Sequence, residues 1–140
     1  MARLNLVSKI SMLAGSCLMA ASLAAPASAE DVTDQALGQW DRTNLGWVVE
    51  FSACGEYLCG EIVSGEGTDR NSGESVVGIQ MLFDLERHDD TEWRGRMYNP
   101  EDGNEYMGKV TILGPNEIRM SGCMVGGLIC RSEEWPRTGQ

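Results

Sequence analysis

Positive charge is what this 140-residue chain has least of, with 11 lysines and arginines against 21 aspartates and glutamates and a formal charge of -10. No stretch groups its cations, which excludes a nucleic-acid surface, since affinity for phosphates comes largely from clustered Lys and Arg. The same scarcity counts against docking on an anionic membrane. Apolar residues at helical spacing are missing over any length that matters, so an α-helical fold is excluded as well. Histidine occurs once, as His88 in "ERHDD". As a general base it would be oriented by Asp89 or Asp90, yet no Ser or Cys nucleophile stands in a relation that supports it, and an exposed turn residue is the simpler reading. With no nucleophile–base pair, no phosphate-cradling loop and no metal-ligand cluster, the residues point to binding rather than to an enzyme, and they call for no cofactor.

What is present begins with an export signal. Residues 1–29 carry Arg3 and Lys9 and no acid, then an apolar run that ends in Ala27-Ser28-Ala29. This pattern predicts a secretory signal peptide cleaved after Ala29. The apolar run is short for a membrane anchor, so no stable membrane insertion is expected. A lipoprotein at Cys17 would have Ala14 three residues before it and an apolar stretch continuing beyond it, which fits poorly. Loss of Arg3 and Lys9 takes the charge from -10 to -12 in residues 30–140. That length suits a single domain with one core, placed in the periplasm or secreted.

The period of the mature chain is two. Trp47, Val49, Phe51 and Ala53 share one parity while Val48, Glu50, Ser52 and Cys54 share the other, and the alternation recurs around Leu58, Met81, Trp93 and Val110. One face of each strand is therefore buried. Turn residues separate the runs at 44–46, 55–57, 88–90, 100–103, 114–116 and Gly126-Gly127, with one longer polar loop at 65–75. About eight strands joined mostly by hairpins predict an all-β fold, an eight-stranded antiparallel up-and-down barrel in which closure removes both edges.

Removing Cys17 with the leader leaves four cysteines in a chain bound for an oxidising compartment, which favours disulfides. Cys54 and Cys59 fall on the outward parity of consecutive strands, where opposed positions lie about 5 Å apart. Cys123 and Cys130 flank the last hairpin, although opposing them directly needs a longer loop than Gly126-Gly127 suggests. Crossed pairings among the four stay open. A tetrathiolate zinc site has the wrong spacing, as does a thioredoxin-like redox pair, so no metal is expected.

Four segments, "GQW" at 38–40, "CGEYLCGEIV" at 54–63, "RMYNPEDGNEY" at 96–106 and "CRSEEWPR" at 130–137, together resemble the exported bacterial family called domain of unknown function 2147. Asn99 stands where that family usually has Asp, and Cys130 where it usually has Gly. The resemblance implies a small calycin-like barrel, related to the lipocalin and avidin group, and brings no activity with it. It also implies that Trp40 of the "GxW" plugs the closed end beneath an arginine of the last strand, for which Arg131 is the match, both residues being structural.

Two functional readings follow. Inward-facing Trp47, Phe51, Met81, Phe83, Trp93, Met97 and Tyr106 would line an interior that holds a small apolar ligand. Alternatively those side chains and their neighbours Val49, Ile62, Val110, Ile112, Ile118 and Met120 fill the barrel, leaving a solid-core envelope module that engages a protein or glycan partner through loops 65–75 and 99–105. Asn99, Glu101, Asp102 and Glu105 offer oxygen ligands for calcium, but Pro100 and Asp102-Gly103 read better as a hairpin turn. Glu133 and Glu134 are adjacent and so face opposite sides of a strand.

Overall fold

The two-residue period is realised as eight strands: β1 (Gly38–Arg42), β2 (Trp47–Cys54), β3 (Tyr57–Ser64), β4 (Gln80–Arg87), β5 (Glu92–Asn99), β6 (Asn104–Gly114), β7 (Glu117–Met124) and β8 (Ile129–Pro136). The structure, a computed structural model, describes residues 35–140; the expected signal peptide and its cleavage point lie outside the described residues. Each strand pairs antiparallel with its successor in the order β1 to β8. The sheet then curls until its first and last strands meet, where Trp40 bridges Arg137 and the Thr138 N–H donates to the Gln39 carbonyl at 2.9 Å. No helix among the described residues is long and apolar enough to cross a membrane.

Inward parity is set by the register. Trp40 opposes Val49, which opposes Ile62; Trp93 opposes Val110, which opposes Met120. These residues are buried in one core together with Phe51, Leu58, Leu85, Ile118 and Trp135. At one end the barrel is solid: the Trp40 and Phe51 rings lie 6.3 Å apart, and Phe51 and Trp135 are separated by the same 6.3 Å.

Simple alternation breaks in β4. The register shifts beside Gly60 and again between Phe83 and Glu86, and Asp84 takes a left-handed φ of 49°. Irregularities of this kind switch which side chains face inward. Met81, Leu82 and Leu85 all enter the core, whereas Phe83, expected inside, faces outward with the Arg96 guanidinium 5.2 Å from its ring centre.

The pairing left open by the sequence is that of hairpin neighbours, Cys54 with Cys59 and Cys123 with Cys130. Their registers differ from expectation. Cys54 opposes Tyr57 across a two-residue turn, so its bridge to Cys59 runs diagonally. Cys123 opposes Cys130 directly, and the intervening chain closes through a short 3-10 turn at Val125–Gly127.

The closed end carries one correction of a named residue. The cation over Trp40 is Arg137, with its guanidinium carbon 4.2 Å from the ring centre. Arg137 is held there by donating to the backbone carbonyls of Pro115, Leu37 and Gln35 at 2.8–2.9 Å. Arg131 lies farther back along β8, opposite Gly122, and is exposed towards the other end of the barrel. Both arginines share one strand parity, and only the pairing of β8 with β1 decides which reaches Trp40.

Candidate functional site

At the opposite end the inward positions stop being apolar. Arg42, two residues after Trp40, keeps the inward parity of β1, and Glu133, two before Trp135, keeps that of β8. A charged pair on core parity needs mutual compensation, because an unpaired buried charge is costly. It is compensated fully. Arg42, 7% exposed, donates from Nε to Glu133 Oε2 at 2.8 Å and from Nη2 to Glu133 Oε1 and Glu101 Oε2, both at 3.0 Å. Its Nη1 reaches Asn99 Oδ1 at 3.4 Å. The guanidinium lies between two indoles, 5.4 Å from the Trp47 ring centre and 6.0 Å from that of Trp135.

Glu133 also accepts from Asn44 Nδ2 at 3.1 Å and from Trp135 Nε1 at 3.0 Å. Burial raises its pKa, but the hydrogen bonds from Arg42 and Trp135 and the Arg42 charge outweigh that effect and leave the carboxyl below its ordinary value. Nearby, the Tyr106 hydroxyl donates to Asp102. That bond holds the Tyr106 pKa above its usual range; for Asp102, burial pushes upward and the bonds from Tyr106 and the Asn104 N–H win, lowering it.

These groups form the wall of a cavity of about 560 Å³ at the barrel mouth. Met81, Met97, Met120 and Trp135 make its apolar floor, and Met124, Ile129, Cys130 and Arg131 form the side nearest the β7–β8 turn. Space for it comes from Gly108 and Gly122, which oppose each other at inward positions of β6 and β7. A Cβ on Gly122 would lie 2.6 Å from the Met97 terminal methyl, so the thioether chain lies across the bare backbone.

Loop 65–79 braces the mouth from outside. Its Asp69 accepts from the Tyr98 hydroxyl and from the Ser72 N–H, the first of these being the main reason its carboxyl is held below the ordinary range. The Arg70 N–H donates to the Pro100 carbonyl at 2.9 Å and Asn71 Nδ2 to the Gly103 carbonyl at 2.8 Å. Loop 65–79 and the β5–β6 turn are thus fastened to each other.

Of the seven residues expected to line an interior site, Met81, Met97 and Tyr106 line this cavity. Phe51 and Trp93 are sealed in the core, Trp47 packs behind Arg42 with its Nε1 donating to the Glu66 carbonyl at 2.9 Å, and Phe83 is outside the barrel. His88 is exposed in the β4–β5 turn. The four oxygen donors of the β5–β6 turn diverge: Asn99 and Glu101 face Arg42, Asp102 meets Tyr106, and Glu105 pairs with Arg96 at 3.7 Å. Glu133 and Glu134 do face opposite sides, the latter donated to by Arg119 at 2.8 Å. Cys54, Cys59 and Asp84 converge within 4.8 Å, but both sulfurs are committed to the disulfide and present no thiolate. Met120, read from the sequence as an inward residue, lines the cavity too, whereas Arg42, Asn44, Glu133 and Trp135 were not expected at a site. Their signal was a charged residue repeating on core parity beside a tryptophan in both the first and the last strand.

A family model described as "Uncharacterized protein conserved in bacteria (DUF2147)" matches residues 38–137. Among solved structures, the barrel is similar to a Helicobacter pylori protein described as belonging to the lipocalin family, at 17% identity and a TM-score of 0.64, over 75% of this chain and 84% of the other. A redesigned β barrel is similar at 14% identity and a TM-score of 0.51, over 77% of this chain and 96% of the other. Both likenesses concern the fold. Among curated proteins none matches significantly.

Proposed function

We propose, for a chain that belongs to the DUF2147 family of uncharacterized proteins conserved in bacteria, that the mouth of the barrel binds a small, largely apolar molecule. The observation that carries this reading is the cavity of about 560 Å³ with its methionine and tryptophan floor and its self-compensated polar wall. Clefts of roughly 300–1,000 Å³ with apolar linings and a few placed polar groups are the usual form of small-molecule sites. Methionine adapts its shape to irregular ligands, and four of the lining side chains are methionines. In this reading residues 30–140 act as one barrel outside the cytoplasm after loss of the leader; two disulfides support an oxidising compartment.

The test is native mass spectrometry of protein recovered from its own cells, together with Nile red fluorescence as a neutral apolar probe. A released small molecule or saturable dye binding, reduced by Met120→Trp while the circular dichroism spectrum is unchanged, is the expected result. Nothing released and no saturable dye binding would overturn the reading.

A second reading, an envelope module that captures a protein, draws on the β7–β8 turn, where Met124, Val125, Leu128 and Ile129 are all more than half exposed. Replacing Val125 and Leu128 with serine should then abolish capture of a partner from envelope extract, and an intact pull-down would reject it.

A further inference from the structure

We infer that the molecule held in the mouth is an amphiphile with an anionic head, a carboxylate or a group of similar chemistry, and that Arg131 is its anchor. This inference rests on the mouth being a binding site, as proposed above, and names the class of its occupant.

Five charged side chains line the cavity: Arg42, Glu101, Asp102, Arg131 and Glu133. Four of them are already spoken for. Arg42 donates to Glu133, Glu101 and Asn99. Glu133 accepts from Arg42, Asn44 and Trp135. Asp102 accepts from Tyr106 and from the Asn104 N–H. Glu101 gives Oε2 to Arg42. A cationic head would have to share these carboxylates with donors that already occupy them.

Arg131 differs from the other four. Among the described residues its side chain makes no hydrogen bond or ion pair, and its charge lowers the pKa of Tyr106 against the upward effect of the bond to Asp102. It stands on inward parity between Ile129 and Glu133, and the residue opposite it in β7 is Gly122, so no side chain covers it from that strand. An uncommitted guanidinium beside bare backbone, over an apolar floor, is the arrangement that a carboxylate head and an apolar tail would satisfy together. Guanidinium–carboxylate bonds are among the stronger ones available, and the planar fork suits two oxygens at once. The chain's net negative charge does not decide the matter, since charges farther than about 8–10 Å are largely screened at physiological ionic strength while contact pairs are not.

The measurement is isothermal titration with three probes of equal tail length: octanoate, 1-octanol and octylamine. Octanoate should bind most tightly, and Arg131→Gln should weaken it by about tenfold, towards the affinity of 1-octanol, which the substitution leaves unchanged. Arg119→Gln on the outer face removes the same charge away from the cavity and should change octanoate affinity little. Equal affinity for octanoate and 1-octanol, or an octanoate affinity indifferent to Arg131→Gln, overturns the anionic head while leaving the apolar site standing. Tightest binding of octylamine reverses the sign of the head group and overturns it too. Absence of heat with all three, alongside absent Nile red binding, removes the site itself.

Discussion

Each end of the barrel places an arginine against tryptophan, yet the two are held in opposite ways. Arg137 over Trp40 donates to three backbone carbonyls, from Gln35, Leu37 and Pro115. Arg42, against Trp47 and Trp135, donates to side chains only, from Glu133, Glu101 and Asn99. A cation held by backbone is fixed by the path of the chain, so its role is closure. One held by side chains sits in a polar wall that can be altered residue by residue, and here that wall encloses space. The same chemical pair makes a lid at one end and the side of a vessel at the other.

Breaking the closed end should cost most. Trp40→Ala removes a fully buried indole between Phe51 and Arg137 and should lower stability by about 3–5 kcal/mol in denaturant unfolding. A loss below about 1 kcal/mol would show that this end is not the mechanical base of the fold. At the mouth, Arg42→Met strands Glu133 without its main partner and should cost about 2–3 kcal/mol, less than a fully buried pair because Glu133 is partly exposed. The double variant Arg42→Met, Glu133→Leu should recover most of that loss. Failure to recover would mean that the pair supports the wall through more than mutual neutralisation.

The disulfides sharpen the contrast further. Cys54–Cys59 lies beside the β2–β3 turn at the closed end and Cys123–Cys130 beside the mouth. Replacing either pair with serines should cost about 2 kcal/mol by chain entropy. Only the second replacement should alter Nile red binding, because Cys130 lines the cavity. Smallest is the effect of acid. The Glu133 pKa is depressed in the fold, so its contribution is complete above the ordinary value of 4.5 and is lost as pH falls through the lower folded value. Urea midpoints measured from neutral pH downwards should therefore fall less steeply for Glu133→Gln than for the wild type.

Strand number, meander order and the presence of disulfides were legible because alternation, turn residues and cysteine count are read directly from the chain, while which cysteines pair depends on the register of each hairpin. Phe83 was misplaced since nothing local marks Asp84 as the site of a left-handed residue that reverses the parity after it. The resemblance matches Arg131 to Trp40, whereas Arg137, six residues on and of the same parity just past β8, is the one that the seam between distant strands brings to the indole. Half of the mouth was hidden for a related reason. Nothing local joins Arg42 to Glu133, and their pairing shows only once β1 and β8, from opposite ends of the barrel sequence, are brought side by side.

That seam has a topological consequence. Every other pairing joins neighbours in sequence, so the barrel is a ring of strands in which the position of the chain ends is arbitrary. With Gln39 and Thr138 already hydrogen-bonded, a short linker could join the two ends, and the chain could be cut anew at the β4–β5 turn, on the closed side away from the cavity. Such a circular permutant retains all seven consecutive pairings but turns the β4–β5 hairpin into the seam and the present seam into a hairpin. If permuted protein still takes up Nile red, the vessel belongs to the ring and not to the order in which its strands are made.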